Sequence, residues 1–435
     1  MTVRATPRSS AGQLAVEIYG DVLEQVRADR LVRASLQYEA GLLMIQGHPY
    51  DLSEFRRVQI VAVGKAAAPM AREAADLLGS RLDGGLVVTK PGYGEPVSGL
   101  ELLEAGHPVP DEGSLVSGRR ILELAEQCGP DDFVLFLLSG GASALMEAPN
   151  GSVTLEDLRA TNERLLASGA DIAQLNAIRS RVSRIKAGGL AHAFRKAKVV
   201  ALVLSDVIGN HLATIGSGPL VSPNRMGPFP YALLDQMPET VRAEVLTRDL
   251  VTFEVPRVDH YVIGSLSVAV HAAADAARAR GLDPLPYGDP MQGEAREMAR
   301  RIVALAKRHV EARPGDRFCL IFGGETTVTV RGSGIGGRCQ EMVVAAAPAV
   351  AKLADTAFLA AGTDGADGPT EAAGGLVETD SLRLAKEVGN DQRKALVNND
   401  SFRYLLQCDG LLFTGPTGSN VNDLCLVVHA PTDRT

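Results

Sequence analysis

The chain has 435 residues, 46% of them hydrophobic and 22% charged, with a formal net charge of −8. Its length exceeds the usual size of one domain and predicts two. The acidic balance, an aromatic content of only 4% and the lack of tryptophan disfavour nucleic acid as an obligate partner, since neither a basic footprint nor a stacking surface is available. A small anion remains compatible, because local clusters of lysine and arginine can override the global sign. No apolar run is long enough to cross a bilayer. The polar stretch from Met1 to Gln13 lacks the apolar centre of a secretory signal. Cys128, Cys319, Cys339, Cys408 and Cys425 are scattered without paired metal spacing, and several sit in strand-like runs. That pattern predicts reduced core thiols and a cytoplasmic setting.

Taken in order, residues Gly12 to Leu36 show helical spacing through Leu14, Ile18, Val22, Val26 and Leu31. Val58–Val63 reads as a strand, and Gly64-Lys65 opens a helix carrying Met70, Ala74 and Leu78. Gly84–Thr89 is the next strand. The turn-rich segment Gly106-His-Pro-Val-Pro-Asp111 precedes a helix from Glu112 to Gln127. Phe133–Leu138 is an unbroken apolar run, too short for a helix and suited to a strand buried on both faces. It stops at Ser139-Gly140-Gly141, after which Ala142–Met146 opens a helix. Amphipathic helices follow over Thr154–Ser168 and Ile172–Arg184, then a buried strand Lys198–Leu204 ending at Ser205-Asp206. This β/α alternation predicts a parallel, doubly wound sheet. Regular signals fade between Ile208 and Pro230, and a second β/α series starts near Tyr261. The division is placed at Val255-Pro256, giving domains 1–255 and 256–435.

Several stretches carry chemistry, each with a plain structural alternative. Ser139-Gly140-Gly141, with Ser143 nearby, is either an anion cradle or a turn that needs glycine for sterics. Lys65 follows a strand at a helix start, where a cation opposes the helix dipole unless an anion shares the site. The surroundings are not a Walker A motif, since no Gly-x-x-x-x-Gly precedes the lysine. Asp206 lies just past a strand's carboxyl end, the side on which open α/β sheets bind ligands; it is a candidate general base or an ordinary loop carboxylate. Arg179, Arg181, Arg184 and Lys186 punctuate one predicted helix and supply positive potential. Gly332-Ser-Gly-Ile-Gly-Gly337 matches Gly-x-Gly-x-x-Gly, with Asp355 at the spacing of a ribose-binding acid. However, the preceding Thr326–Arg331 reads as a strand with one polar face, and a dinucleotide fold needs a buried one. Asp364 and Asp367, with Asn420, Asn422 and Asp423, offer carboxylates and amides in loops. They suit magnesium shared with substrate phosphates, or simple turn chemistry. The eight histidines form no zinc-binding spacing.

Taken together the motifs resemble the type 2 glycerate kinases. The matching segments are Val63-Gly-Lys-Ala66, Gly106-His-Pro-Val-Pro-Asp-Glu112, Leu138-Ser-Gly-Gly-Ala-Ser-Ala-Leu145 and Ser205-Asp-Val-Ile-Gly209. In the second half they are Gly323-Gly-Glu-Thr-Thr-Val328, Gly336-Gly-Arg338, Gly362-Thr-Asp-Gly-Ala-Asp-Gly-Pro-Thr370 and Thr414-Gly-Pro-Thr-Gly-Ser-Asn-Val-Asn-Asp423. The resemblance implies an α/β protein with an amino-terminal doubly wound parallel-sheet domain, a smaller carboxy-terminal α/β domain and an active site in the cleft between them. It implies ATP- and Mg2+-dependent phosphorylation of D-glycerate at its 2-hydroxyl. Lys65, Asp206 and Arg338 carry over as the catalytic group. Ser139, Gly140, Gly141, Ser143, Glu325 and Asn422 are expected at the nucleotide, Arg179, Lys186 and Asp364 at the acid, and Asp367 and Asp423 at the metal. The expected partners are D-glycerate and ATP, with neither nucleic acid nor a membrane; assembly as a homo-oligomer stays open. Three positions depart from the family pattern: Cys339 in place of asparagine, Asn210 in place of aspartate and Arg181 in place of histidine. They leave open a related hydroxy or sugar acid as acceptor. The family also carries the label hydroxypyruvate reductase, which makes an NAD(P)H-dependent reductase the alternative.

Overall fold

The computed structural model describes residues 2–168, 172–222, 229–247 and 255–431. Of the irregular stretch Pro223–Pro230, residues 223–228 lie outside that set. The helical spacing read across residues 12–36 resolves into two helices, α1 (Ser10–Gln25) and α2 (Ala28–Ser35). The chain divides between them into two compact units, Ala28–Gly264 and a second made of Met1–Arg27 with Ser265–Thr435.

The first unit opens with a small antiparallel sheet, β1 (Leu36–Glu39), β2 (Leu42–Ile45) and β3 (His48–Asp51). Its main sheet is parallel throughout. The strands are β4 (Arg57–Val63), β5 (Gly84–Thr89), β6 (Glu101–Glu104), β7 (Asp132–Leu138), β8 (Lys198–Leu204) and β9 (Asp259–Gly264), in the order β6-β5-β4-β7-β8-β9. The chain winds outward from β4 to one edge, returns to β7 and winds to the other edge, so β4 and β7 flank the switch point of a doubly wound sheet. Every residue of β7 is buried, as its unbroken apolar run requires for a strand covered on both faces. The connecting helices are α3 (Ala67–Leu78), α4 (Glu112–Gln127), α5 (Ala142–Leu145), α6 (Leu155–Ala167), α7 (Ile172–Arg181), α8 (Gly189–Ala193), α9 (Tyr231–Leu234) and α10 (Glu239–Thr247). Val61, Val63, Val134, Phe136, Leu138, Ile121 and Leu190 share one core on this sheet. Residues of α6, α7 and α10 form a separate satellite cluster.

The second unit has a mixed sheet. Its strands are β10 (Asp283–Pro286), β11 (Phe318–Gly324), β12 (Thr356–Gly362), β13 (Gly374–Glu378), β14 (Leu411–Leu412) and β15 (Asp423–His429), in the order β10-β11-β15-β12-β13-β14. Only β10 and β11 pair in parallel. Along β11 the side chains alternate as a two-sided strand demands. Phe318, Leu320 and Phe322 pack with α12 (Ala295–Ala312) and α13 (Arg338–Val350), whereas Gly323 faces Leu266 and Val270 of α11 (Leu266–Ala279).

Three sequence expectations change here. The division falls at residue 264, because β9 completes the first sheet by pairing with β8; periodicity identifies a strand but not its partner. Residues 1–27 group with the second unit: α1 buries Ala15, Ile18, Tyr19, Val22 and Leu23, and the Tyr19 hydroxyl donates to the Gly362 carbonyl at 2.7 Å. The helix expected over residues 172–184 ends at Arg181, since Ser183 leaves it to bridge Pro149.

The start of the chain is fixed to β13 by one carboxylate. Glu378, 3% exposed, accepts from the N–H groups of Arg8 and Ser9 and from the Ser9 hydroxyl. Ser9 in turn caps α1 through Gly12 N–H. Glu378→Ala leaves these donors without their acceptor and is expected to cost about 2 kcal/mol or more in chemical denaturation. Glu378→Gln, which keeps one acceptor oxygen, should cost less; equal and negligible losses in both variants refute the tether.

Candidate active site

The turns that leave β4 and β7 are stitched together at the switch point. Lys65 N–H donates to the Gly140 carbonyl at 2.9 Å, Ser139 N–H to the Val63 carbonyl at 3.0 Å, and Ala66 N–H to Ser139 Oγ at 3.1 Å. Gly64 has φ of +135°, and a Cβ there would lie 2.1 Å from Ser139 Oγ, so only glycine lets the two turns approach this closely. Ser139 is therefore fully buried and spends its hydroxyl on joining the turns. Gly141, with φ of +88°, caps α5. A Cβ on it would meet the His107 ring at 2.9 Å and Lys65 Cγ at 3.3 Å. Lysine stem, imidazole and glycine backbone thus converge over the turn after β7. Asp206 follows β8, so it shares the carboxyl edge of this sheet.

From α5, directly after that turn, the first unit holds a largely buried polar chain. Ser143 Oγ lies 2.8 Å from Ser217 Oγ, and the Ser217 hydroxyl reaches Asn176 Oδ1 at 3.1 Å. Arg179 Nε donates to Asn162 Oδ1 at 2.8 Å, and burial lowers its pKa against the pull of Glu147. Lys186, expected at the substrate, is instead committed to a buried ion pair with Glu147, whose other oxygen accepts from Ser183 at 2.5 Å. Both partners are nearly inaccessible, so this pair holds the turn after α7 and is not presented to a ligand. Sequence spacing had no signal for Glu147 as its partner. Arg181 lies over the Phe229 ring at 3.9 Å, which gives this departure from the family pattern a packing role. Asn210 takes φ of +54° in the turn after β8, a conformation asparagine tolerates.

The second unit gathers the other candidates around Arg338, the first residue of α13. Its guanidinium forks onto Asp423, with Nε to Oδ2 at 2.6 Å and Nη2 to Oδ1 at 3.0 Å, and Nη1 reaches Glu325 at 2.6 Å. Burial opposes the charge, yet the two carboxylates more than offset it and raise the Arg338 pKa above its ordinary value. Asn422, in the left-handed region at φ of +70°, donates to Glu325 at 3.4 Å and accepts from Thr363 through its carbonyl. Asp364 accepts from Ala366 N–H at 3.2 Å.

The two expected metal ligands have other jobs. Asp367 accepts from the N–H groups of Cys339 and Gln340 at 3.2 and 2.8 Å, capping α13. Asp423 spends both oxygens on Arg338. Among the described residues no three His, Cys, Asp or Glu side chains group to hold a metal. The Cys339 thiol, buried near Asp423 and Asp367, is pushed well up in pKa and stays neutral.

The Gly332–Gly337 match to a dinucleotide fingerprint also finds a structural explanation. Thr326–Arg331 forms no regular strand. The N–H groups of Arg331, Gly332, Ser333, Gly334 and Ile335 all donate to the turn Asn398–Asp400. These glycines allow close packing on that turn, where a Cβ at Gly332 would lie 2.3 Å from the Asn398 carbonyl. The amides of Gly332, Ser333, Gly334 and Ile335 are thus already taken and do not face a pyrophosphate. Asp355, read as a ribose-binding acid, has φ of +50° in the turn before β12.

Burial is the largest influence on Asp367 and raises its pKa to about 7, against ~3.9 for an unfolded aspartate. The native state therefore holds this proton more tightly. Stability from the group is full below about pH 4 and is lost as pH rises toward 7. Asp367→Asn removes that dependence, so its Tm relative to the parent chain is expected to climb between about pH 5 and about pH 8. A difference that stays constant or falls contradicts the burial account.

A model described as a domain of unknown function, DUF4147, matches residues 14–246, and the MOFRL family model matches residues 318–423. A D-glycerate 2-kinase of Thermotoga maritima is 40% identical over 428 residues, covering 96% of this chain and 98% of that protein. A putative hydroxypyruvate reductase of Agrobacterium vitis is 39% identical over 382 residues, covering 85% of this chain and 86% of that protein. The crystal structure of a glycerate kinase from Thermotoga maritima superposes with a TM-score of 0.84 at 39% identity, covering 96% of this chain and 99% of that one. With relatives this similar over nearly its whole length, the chain belongs to the glycerate kinase family.

Proposed function

We propose that this chain transfers the γ-phosphoryl group of ATP to the 2-hydroxyl of D-glycerate, giving 2-phosphoglycerate and ADP. The observation that carries this reading is the knot of turns at the switch point. There Lys65 N–H meets the Gly140 carbonyl and the Lys65 stem lies over Gly141. Open α/β sheets bind ligands at this edge, and a cation beside a glycine turn favours phosphate. Phosphoryl transfer is mainly positioning and charge stabilisation, which suits such a rigid arrangement.

In this reading Gly140, Gly141 and Ser143 line the phosphate turn that Ser139 holds in shape. Lys65 and Arg338 neutralise the transferring group, and Asp206 orients or deprotonates the acceptor hydroxyl. Glu325 and Asn422 act on the nucleotide side. Arg179 and Asp364 act on the acid, whereas Lys186 supports the fold through Glu147. Mg2+ enters with the phosphates of the nucleotide and not through a cage of side chains, in keeping with its preference for few protein ligands. The reductase alternative is left with the family label alone, because the glycine motif commits the amides of residues 332–335 to Asn398–Asp400.

The test is ADP release measured with ATP, Mg2+ and D-glycerate, beside NADH oxidation with hydroxypyruvate. Glycerate-dependent ADP release without NADH oxidation is expected. Lys65→Ala and Asp206→Asn should each lower kcat by ~10²-fold or more with the fold intact. Near-parental rates in both variants would sink the assignment.

A further inference from the structure

The strand order makes His107 an unusual neighbour for Gly141. His107 follows β6 at the edge of the first sheet, while Gly141 follows β7, three positions away in the order β6-β5-β4-β7. At ~4.8 Å per strand, that is roughly 14 Å across the sheet. Nevertheless the imidazole lies directly over the turn: a Cβ on Gly141 would stand 2.9 Å from His107 Cδ2 and 3.1 Å from Nε2. The Cδ2–Nε2 edge is therefore the part of the ring that meets the glycine, beside the stem of Lys65.

The loop that delivers this ring is clamped. Asp111 accepts from Gly106 N–H at 2.8 Å and from Ser114 N–H at 3.0 Å, while Ser114 Oγ accepts from Asp111 N–H at 3.0 Å. One carboxylate thus closes the loop on itself and caps α4. Burial works against its charge, but the N–H donors of Gly106, Ser114 and Gly113 hold the Asp111 pKa below the ordinary range. Arg159 of α6 adds a third anchor through the Pro110 carbonyl at 3.0 Å. Such a framework fixes a side chain by its neighbours, as a binding group requires. His107 itself is half-buried.

We infer that His107 is a further phosphate-contacting residue, which donates a hydrogen bond from Nε2 to a phosphoryl oxygen of the nucleotide held over Gly141. The inference rests on the kinase reading for its ligand and goes beyond it by adding a donor from a third loop. Gly141 then has two reasons to lack a side chain. Its φ is left-handed, and a Cβ would displace the ring whose donor faces the phosphate.

Two variants separate donation from packing. His107→Gln keeps an N–H donor on a longer side chain, whereas His107→Leu keeps bulk and loses the donor. Calorimetric binding of inorganic tripolyphosphate and KM for ATP are the readouts, with Tm as control. A hydrogen bond to a charged group predicts weakening by ~10–100-fold in the Leu variant and far less in the Gln variant, with KM for D-glycerate unchanged. Equal effects in the two variants, or a change confined to KM for D-glycerate, overturn the inference. If His107→Leu fails to fold, His107→Ala takes its place. Tripolyphosphate binding needs no acceptor, so the two readings fail separately. Absence of glycerate-dependent turnover with His107-dependent tripolyphosphate binding refutes the acceptor and keeps the phosphate contact. Turnover with binding that ignores His107 does the reverse.

Discussion

The first unit depends on a single constraint, the close approach of the turns leaving β4 and β7. Adjacent parallel strands whose connections wind in opposite directions leave a crevice at their carboxyl ends. Here the turns close its floor with backbone bonds, Lys65 to Gly140 and Ser139 to Val63. Ser139 Oγ seals it by accepting from Ala66 N–H. The arrangement requires a residue without a side chain at position 64, because a Cβ would collide with the serine. It also fixes which way Lys65 starts into α3. Placing a cation at a helix start is unfavourable in isolation; an anion over the same turn offsets that cost.

Around Arg338 in the second unit the electrostatics are inverted. One guanidinium is shared by Asp423 and Glu325, with Asp367 capping the same helix. A lysine here would offer a point charge, whereas the planar guanidinium takes Asp423 with two parallel bonds and still extends a third arm to Glu325. The arm toward Glu325 is the more exposed, since Glu325 is 46% and Asp423 only 4% accessible at the side chain. In the proposed reading, a phosphoryl group would compete most easily for Nη1, while the Asp423 fork keeps the guanidinium in register. That division suits a residue that must be stationary before the anion arrives.

How much of this was legible in the sequence follows from what each signal encodes. Lys198–Leu204 coincides with β8, and Phe133–Leu138 falls one residue short of β7, because an apolar run of that length has few other solutions. Partners are a different matter. Tyr261–Gly264 reads as a strand, but its pairing with β8 depends on contacts some 60 residues apart. The spacing through Val22, Val26 and Leu31 was continuous, although α1 and α2 belong to different units. Loop carboxylates were the least legible. Asp367 and Asp423 have the composition of metal ligands, yet a helix cap and a bidentate arginine pair use the same oxygens. The fingerprint-like glycines of 332–337 show the same ambiguity, since close packing on Asn398–Asp400 and close approach to a pyrophosphate both exclude a Cβ.

Two of the departures from the family pattern have local packing roles. Cys339 is a neutral thiol beneath the α13 cap, and Arg181 stacks on Phe229 in the satellite cluster. Neither alters Lys65, Gly140 or Gly141. What the satellite cluster does border is α7, which carries Asn176 and Arg179. There Ser143, Ser217 and Asn176 form a hydrogen-bonded chain, and Ser217 holds φ of +63° to complete it. Arg181, the last residue of α7, lies over Phe229 and reaches the Val245 carbonyl at 3.4 Å, so its role there is packing. Ser143, on the first turn after the glycine loop, is thus tied through Ser217 to Asn176 of α7, the helix against which Arg181 packs Phe229.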